Sequence, residues 1–248
     1  MEINSYEQNK EQKEQVPKIT FRFNERREID NWYATFNGTP KFGLRGGRTR
    51  WYLGDIPEDV SREIAGLDEE SAKSIIKNRI EEELKNPEKI RIMEEAIGKA
   101  KERWQTVDKD YFSLLSKLIN VPVEKFEKQY FAEYTLSARC PFRKDGFMFN
   151  RFKDFADIAM HEIMHIEFLK EYRGYCKERG LDDNQIDHLK EILTALLNEP
   201  MKNLLSQPDI GYTKHVELRE RALEIYKNSK NFLEFLDKMI ELVKGANF

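Results

Sequence analysis

The stretch from Phe155 to Leu169 constrains this chain most, because it is apolar on nearly every face of a helix yet has His161, Glu162 and His165 set into it. The pattern is HExxH. His161 and His165 are four residues apart, about 40° around an α-helix, so both imidazoles can reach one ion from one face. Glu162 follows the first imidazole and is placed to hold the water that a metal activates, take its proton and pass it to a leaving amine. Burying a carboxylate between two imidazoles costs free energy unless a partner compensates. One divalent cation would satisfy all three groups. The opposing reading is a surface helix whose polar triplet is solvated.

A catalytic zinc takes three protein ligands and keeps one position for water, so a third ligand has to come from elsewhere. The longer pattern HExxHxxGxxH fails, with Phe168 at its Gly and Glu171 at its His. Without that Gly the helix is predicted to continue to about Tyr172 or Arg173, before Gly174. A second helix is predicted over residues 189–198, with Asn/Asp-rich residues 182–187 before it and Pro200 after it. It offers Glu191 as third ligand, far enough beyond His165 for a turn and a return helix. Thr194, Ala195 and Asn198 would share its face, so Thr194 and Asn198 are expected to orient its carboxylate. The apolar row Ile192, Leu193, Ala195, Leu196 and Leu197 leaves little of this helix for solvent. His188, one turn earlier, is the rival ligand, with Glu191 then its supporting carboxylate. Cys140 and Cys176 are soft donors on either side of the HExxH helix, though cysteine is more often a small buried apolar residue.

HExxH on one helix and a Glu on a later one resemble the gluzincin branch of the zincin metallopeptidases, over roughly residues 128 to 215. The familiar pattern has Asp four residues after the ligand Glu, where this chain has Ala195. The resemblance implies an α+β, zincin-like fold, with N-terminal strands and a small sheet packed on a mostly helical body. It implies Zn²⁺ as cofactor, a peptide or protein substrate, and an edge strand above the site that binds the substrate backbone. Residues 130–136 or 146–150 are predicted to form that edge. Such enzymes also need a Tyr or His donor for the oxyanion of the tetrahedral intermediate. The loop after Pro208 supplies Tyr212 and His215, and its simpler reading is a turn into the next helix with Asp209 and Thr213 as caps. Tyr172 and Tyr175 are weaker alternatives.

The rest of the chain sets bounds. Its 248 residues suffice for one substantial core, and we read a single domain over 17–248 behind a mobile polar tail at 1–16. Within that domain, 17–125 carries strands and charged helices and 126–248 the metal site. A net charge of −3 with 35% charged residues describes an ordinary soluble surface and points to no polyanionic partner. No apolar signal region opens the chain, and no run approaches transmembrane length. Two cysteines fit reduced thiols, so a cytoplasmic location is expected. Strands are predicted at 19–23 and 32–36, and a hairpin around Gly46-Gly47. Residues 57–118 read as charged helices, and two more helices at about 216–228 and 232–244 show core-facing spacing.

Two further functions compete. Residues 41–52 interleave four cations with Phe42, Trp51 and Tyr52, which would suit phosphates and stacked bases. A plain hairpin gives the same composition, so nucleic acid is the lesser expectation. The other alternative is a metal site without catalysis in a partner-binding protein. By analogy of motif and compartment, the enzyme reading fits a regulatory peptidase similar in outline to the HExxH proteases that cleave repressors.

Overall fold

A computed structural model describes residues 16–37 and 53–246. The fold is α+β, a small four-stranded sheet against a mostly helical body. The chain enters through β1 (Lys18–Arg22) and turns into α1 (Glu25–Asn37). A short α2 (Val60–Glu63) leads to the charged helices α3 (Glu69–Glu83), α4 (Pro87–Gln105) and α5 (Asp108–Ile119). Strands β2 (Gln129–Tyr134), β3 (Phe142–Arg143) and β4 (Gly146–Phe149) precede the long α6 (Phe155–Glu178). Helix α7 (Asp183–Leu193) tightens into a 3-10 turn at Thr194–Asn198, and α8 (Val216–Lys227) and α9 (Phe232–Lys244) close the body. Among the described residues no helix is long and apolar enough to cross a membrane.

The sheet runs β1-β2-β4-β3, with the first two pairings parallel and β3 antiparallel to β4. Parallel neighbours need crossovers, and α1 to α5 make the one between β1 and β2. Strand β4 is buried along its whole length. It can lie so close to β2 because residue 146 is glycine: a Cβ there would stand 2.3 Å from the carbonyl oxygen of Phe131.

Fourteen of the 24 residues of α6 are buried, which makes it the central helix. Asp154 caps it, accepting from the backbone N–H of Ala156 at 2.9 Å. Phe155 at its start packs on Phe21 of β1 (5.0 Å between centroids), Phe149 of β4 (4.9 Å) and Trp104 of α4 (6.1 Å). Each such buried ring contributes roughly 1.5–3 kcal/mol, more than the cap does. Tyr111 of α5 donates to the carbonyl of Met160 at 2.8 Å. The HExxH segment is therefore clamped between sheet and helices before its own chemistry is considered.

Several sequence expectations change. Residues 32–36 belong to α1, not to a strand, because Glu28, Asn31, Trp32 and Thr35 form one buried face at helical spacing. Helix α6 passes through Gly174 to Glu178: Tyr172 donates to the carbonyl of Ile119 at 2.6 Å and Tyr175 to Asp237 at 2.8 Å, so long-range bonds hold the extra turns. Helix α7 starts earlier, at a capping box in which Asp182 and Gln185 exchange hydrogen bonds with each other's backbone. Both strands predicted as the edge are interior; β1 and the two-residue β3 are the outer strands. Residues 1–15 of the tail expected at 1–16 and the basic-aromatic hairpin at 41–52 lie outside the described residues.

Candidate metal centre

Helix α6 brings His161 and His165 to one face, their rings 4.4 Å apart between centroids. Helix α7 packs alongside and delivers Glu191 to the same point. Its carboxylate lies between the imidazoles, Oε2 at 3.5 Å from His161 Nε2 and Oε1 at 3.3 Å from His165 Nε2. Ligands about 2.1 Å from a tetrahedral cation stand about 3.4 Å from one another, so these separations fit three donors around one ion. Ligand atoms of all three residues fall within 4.8 Å of one another, and all three residues are buried. Both ring nitrogens of His165 and Oε2 of Glu191 have no hydrogen-bond partner among the described residues. Orphaned buried polar atoms are costly. A cation at their centre would satisfy Nε2 and the carboxylate together.

Among the described residues this is the one cluster of three or more ligating side chains, and it contains neither His188, Cys140 nor Cys176. His188 turns to His215 instead, its Nδ1 2.8 Å from the Nε2 of that ring. Cys140 accepts from the Asn150 amide at 3.1 Å, and Cys176 is buried on α6.

Glu162 is half-buried beside the ligands, and its charge adds to the field at His161. That field is dominated by Asp209. Burial alone would depress the His161 pKa, but Asp209, whose Oδ2 accepts from Nδ1 at 2.6 Å, overcomes it and raises the pKa to about 9. The same bond fixes the ring so that Nε2 faces the cluster. His165 lacks such a partner, and burial depresses its pKa to about 3, leaving a neutral imidazole suited to ligation.

Asp209 is itself held firmly. Arg219 of α8 donates to its Oδ1 and to its backbone carbonyl, each at 2.6 Å, and Thr194 donates to Oδ1 at 3.1 Å. Asn198 exchanges two hydrogen bonds with the Asp209 backbone. Thr194 and Asn198 thus orient Asp209 rather than the carboxylate of Glu191, because the chain tightens to 3-10 at Thr194 and turns their side chains away from the α-helical register. Gly211 makes room for this: with φ +60°, a Cβ at that position would meet the Arg219 guanidinium at 2.7 Å.

Lys190 is buried on the other flank. Its ammonium donates to Glu191 Oε1 at 2.6 Å and lies 4.9 Å from the ring centroid of Phe142 on β3, which packs at 5.3 Å on the His165 ring. The outer strand of the sheet therefore reaches the site.

The proposed oxyanion donors fare differently. His215 is fully buried with its Nε2 committed to His188, so the geometry does not support the donor role expected of it. Tyr212 is half-buried beside His215 and within electrostatic reach of Arg139, at the rim. Tyr172 and Tyr175 are turned to Ile119 and Asp237. Sequence reasoning missed Asp209 as the partner of His161, Arg219 as its anchor, and Lys190. A signal existed for Lys190, a lone cation in the apolar row from Leu189 to Leu197; none existed for Arg219, in an ordinary charged helix. No family model, no curated protein and no solved structure matches this chain.

Proposed function

We propose that this chain is a zincin-like, zinc-dependent peptidase of the gluzincin kind, with His161, His165 and Glu191 as metal ligands and Glu162 as general base and acid. The observation that carries this reading is the convergence of His161, His165 and Glu191, whose ligand atoms lie within 4.8 Å of one another and include three buried atoms without a hydrogen bond among the described residues, both ring nitrogens of His165 and Oε2 of Glu191, with Glu162 next to them in sequence. A bound divalent cation would supply Lewis acidity, acidifying water and polarising a carbonyl. In the hydrolysis, Glu162 takes a proton from the attacking water as its oxygen bonds to the carbonyl carbon. Glu162 then delivers that proton to the amide nitrogen as the C–N bond breaks, leaving a carboxylic acid and an amine. Asp209 keeps His161 in the tautomer that presents Nε2. The edge at Phe142–Arg143, beside His165, is where an extended peptide backbone would add to the sheet.

One observation favours a second reading. The three ligands are nearly enclosed, His165 most of all at 1% exposure, as in a closed metal site that only stabilises a fold. Half-buried Glu162 and Tyr212 argue for access from one side. Glu162→Gln separates the two. For the peptidase, zinc stays bound and digestion of an unbiased peptide mixture falls about 100- to 10,000-fold. Equal digestion by wild type and variant, or none by the zinc-loaded wild type, favours the closed site.

A further inference from the structure

Arg139 lies in the segment that joins β2 to β3, shortly before Phe142, whose ring packs at 5.3 Å on that of His165. It is half-buried and, at the rim of the site, within electrostatic reach of Tyr212. The segment is fixed in place. Asn31 of α1 donates to the Arg139 carbonyl at 2.9 Å, the Arg139 N–H donates to Ser137 Oγ at 3.0 Å, and the guanidinium Nη1 donates to Asn31 Oδ1 at 2.9 Å. That last partner is a neutral amide. Among the described residues Arg27, Arg79, Arg103, Arg179 and Arg219 are likewise at least half-buried, and each meets a carboxylate. Arg139 does not. Burial lowers its pKa, and the groups that oppose this are Tyr212 and Cys140, a phenol and a thiol rather than acids ionised at neutral pH. Holding a charge partly out of water costs free energy unless an anion joins it. A guanidinium keeps its charge, and its planar fork matches a carboxylate through two parallel hydrogen bonds. This one stands just ahead of the strand to which a substrate backbone would add.

We propose that Arg139 is the specificity-determining residue of this site, pairing with a carboxylate of the bound peptide, either an Asp or Glu side chain at one fixed position from the cleaved bond or a free C-terminus. The proposal rests on the peptidase reading of the same site and adds its substrate class. Arg139 takes no part in proton transfer and selects by binding alone. A peptide carrying the amide of the same shape in place of the carboxylate loses the charge-assisted pair. A peptide with Lys or Arg there meets like charge and is rejected.

The test digests an unbiased peptide mixture, with free and with amidated C-termini, using the zinc-loaded full chain. Wild type should cut at sites that share Asp or Glu at one position in both preparations; where the carboxylate is the C-terminus, cleavage stays near the chain end and disappears on amidation. A peptide chosen from that profile and its Gln or amidated counterpart are then compared in wild type, Arg139→Gln and Arg139→Glu. Loss of the charged pair in Arg139→Gln should lower kcat/KM for the acidic peptide about 10- to 100-fold, chiefly through KM, and leave the neutral peptide within about threefold of wild type. Arg139→Glu should move the preference to Lys or Arg at the same position. A wild-type profile without a carboxylate preference overturns the proposal and leaves the peptidase standing. So does a preference that persists in both variants, an equal loss on acidic and neutral peptides, or failure of both variants to fold, since Arg139 would then serve only to hold Asn31 and the segment before β3. If zinc-loaded wild type cleaves no peptide, the peptidase reading itself fails and this proposal falls with it.

Discussion

At the scale of single residues, the site depends on what each carboxylate touches. Asp209 holds His161 through a 2.6 Å bond, so Asp209→Asn should lower zinc affinity about 10- to 100-fold, the usual cost of losing the partner of a ligating histidine. Chelator competition measures this, and an unchanged affinity would show that the ring is held by its packing alone. Glu28 behaves in the opposite sense to a paired acid. It is fully buried in α1, and desolvation is the main cause that raises its pKa from 4.5 to about 7, although Trp32 Nε1 at 2.6 Å and the Leu136 N–H at 2.8 Å both donate to Oε1. Between those values the folded chain holds a proton that the unfolded chain has released. Stability from this group is therefore greatest in acid, falls as pH rises from about 4.5 to 7, and is level above, a loss of about 3 kcal/mol. Glu28→Gln keeps the accepting oxygen and has no charge to bury. Its stability relative to wild type should rise between urea melts at pH 5 and pH 8; a difference independent of pH would contradict the assignment.

At the scale of elements, helix ends set the site's geometry. Asp154→Ala removes the cap of α6 and its pair with Arg103, and should cost about 1–2 kcal/mol in denaturant melts while leaving zinc affinity intact. A loss of zinc without a loss of stability would mean that the N-terminus of α6 tunes the metal directly. The convergence of His161, His165 and Glu191 was legible because HExxH sets its own spacing and because Glu191 lies in an apolar row that turns it inward. The element boundaries were less so. Trp32-Tyr-Ala-Thr-Phe36 has strand-forming residues, and only its burial with Glu28 and Asn31 reveals a helix. The sheet edge was illegible because β3 is two residues long, too short to give a periodic signal. The switch from α to 3-10 at Thr194 has no sequence mark either, and it redirects Thr194 and Asn198 to Asp209.

At the scale of the whole molecule, one buried cluster runs from Trp32 in α1 to Val243 in α9, and α6 threads its middle. The proposed metal centre therefore lies where sheet, α6 and α7 meet, and a cation there would tie residues far apart in sequence. Binding to the folded chain alone stabilises it by mass action. Saturating zinc at about 100 times its dissociation constant should add roughly 2.7 kcal/mol, visible as a raised melting temperature that His165→Ala and Glu191→Ala both abolish. A rise that survives either variant would place the ion elsewhere. The proposed function stands on where that ion sits. Anomalous diffraction at the zinc edge on crystals of the zinc-loaded protein tests it most directly. One strong peak is expected about 2.1 Å from His161 Nε2, His165 Nε2 and a carboxylate oxygen of Glu191; a zinc-soaked crystal with no peak among those three side chains would contradict the proposed site.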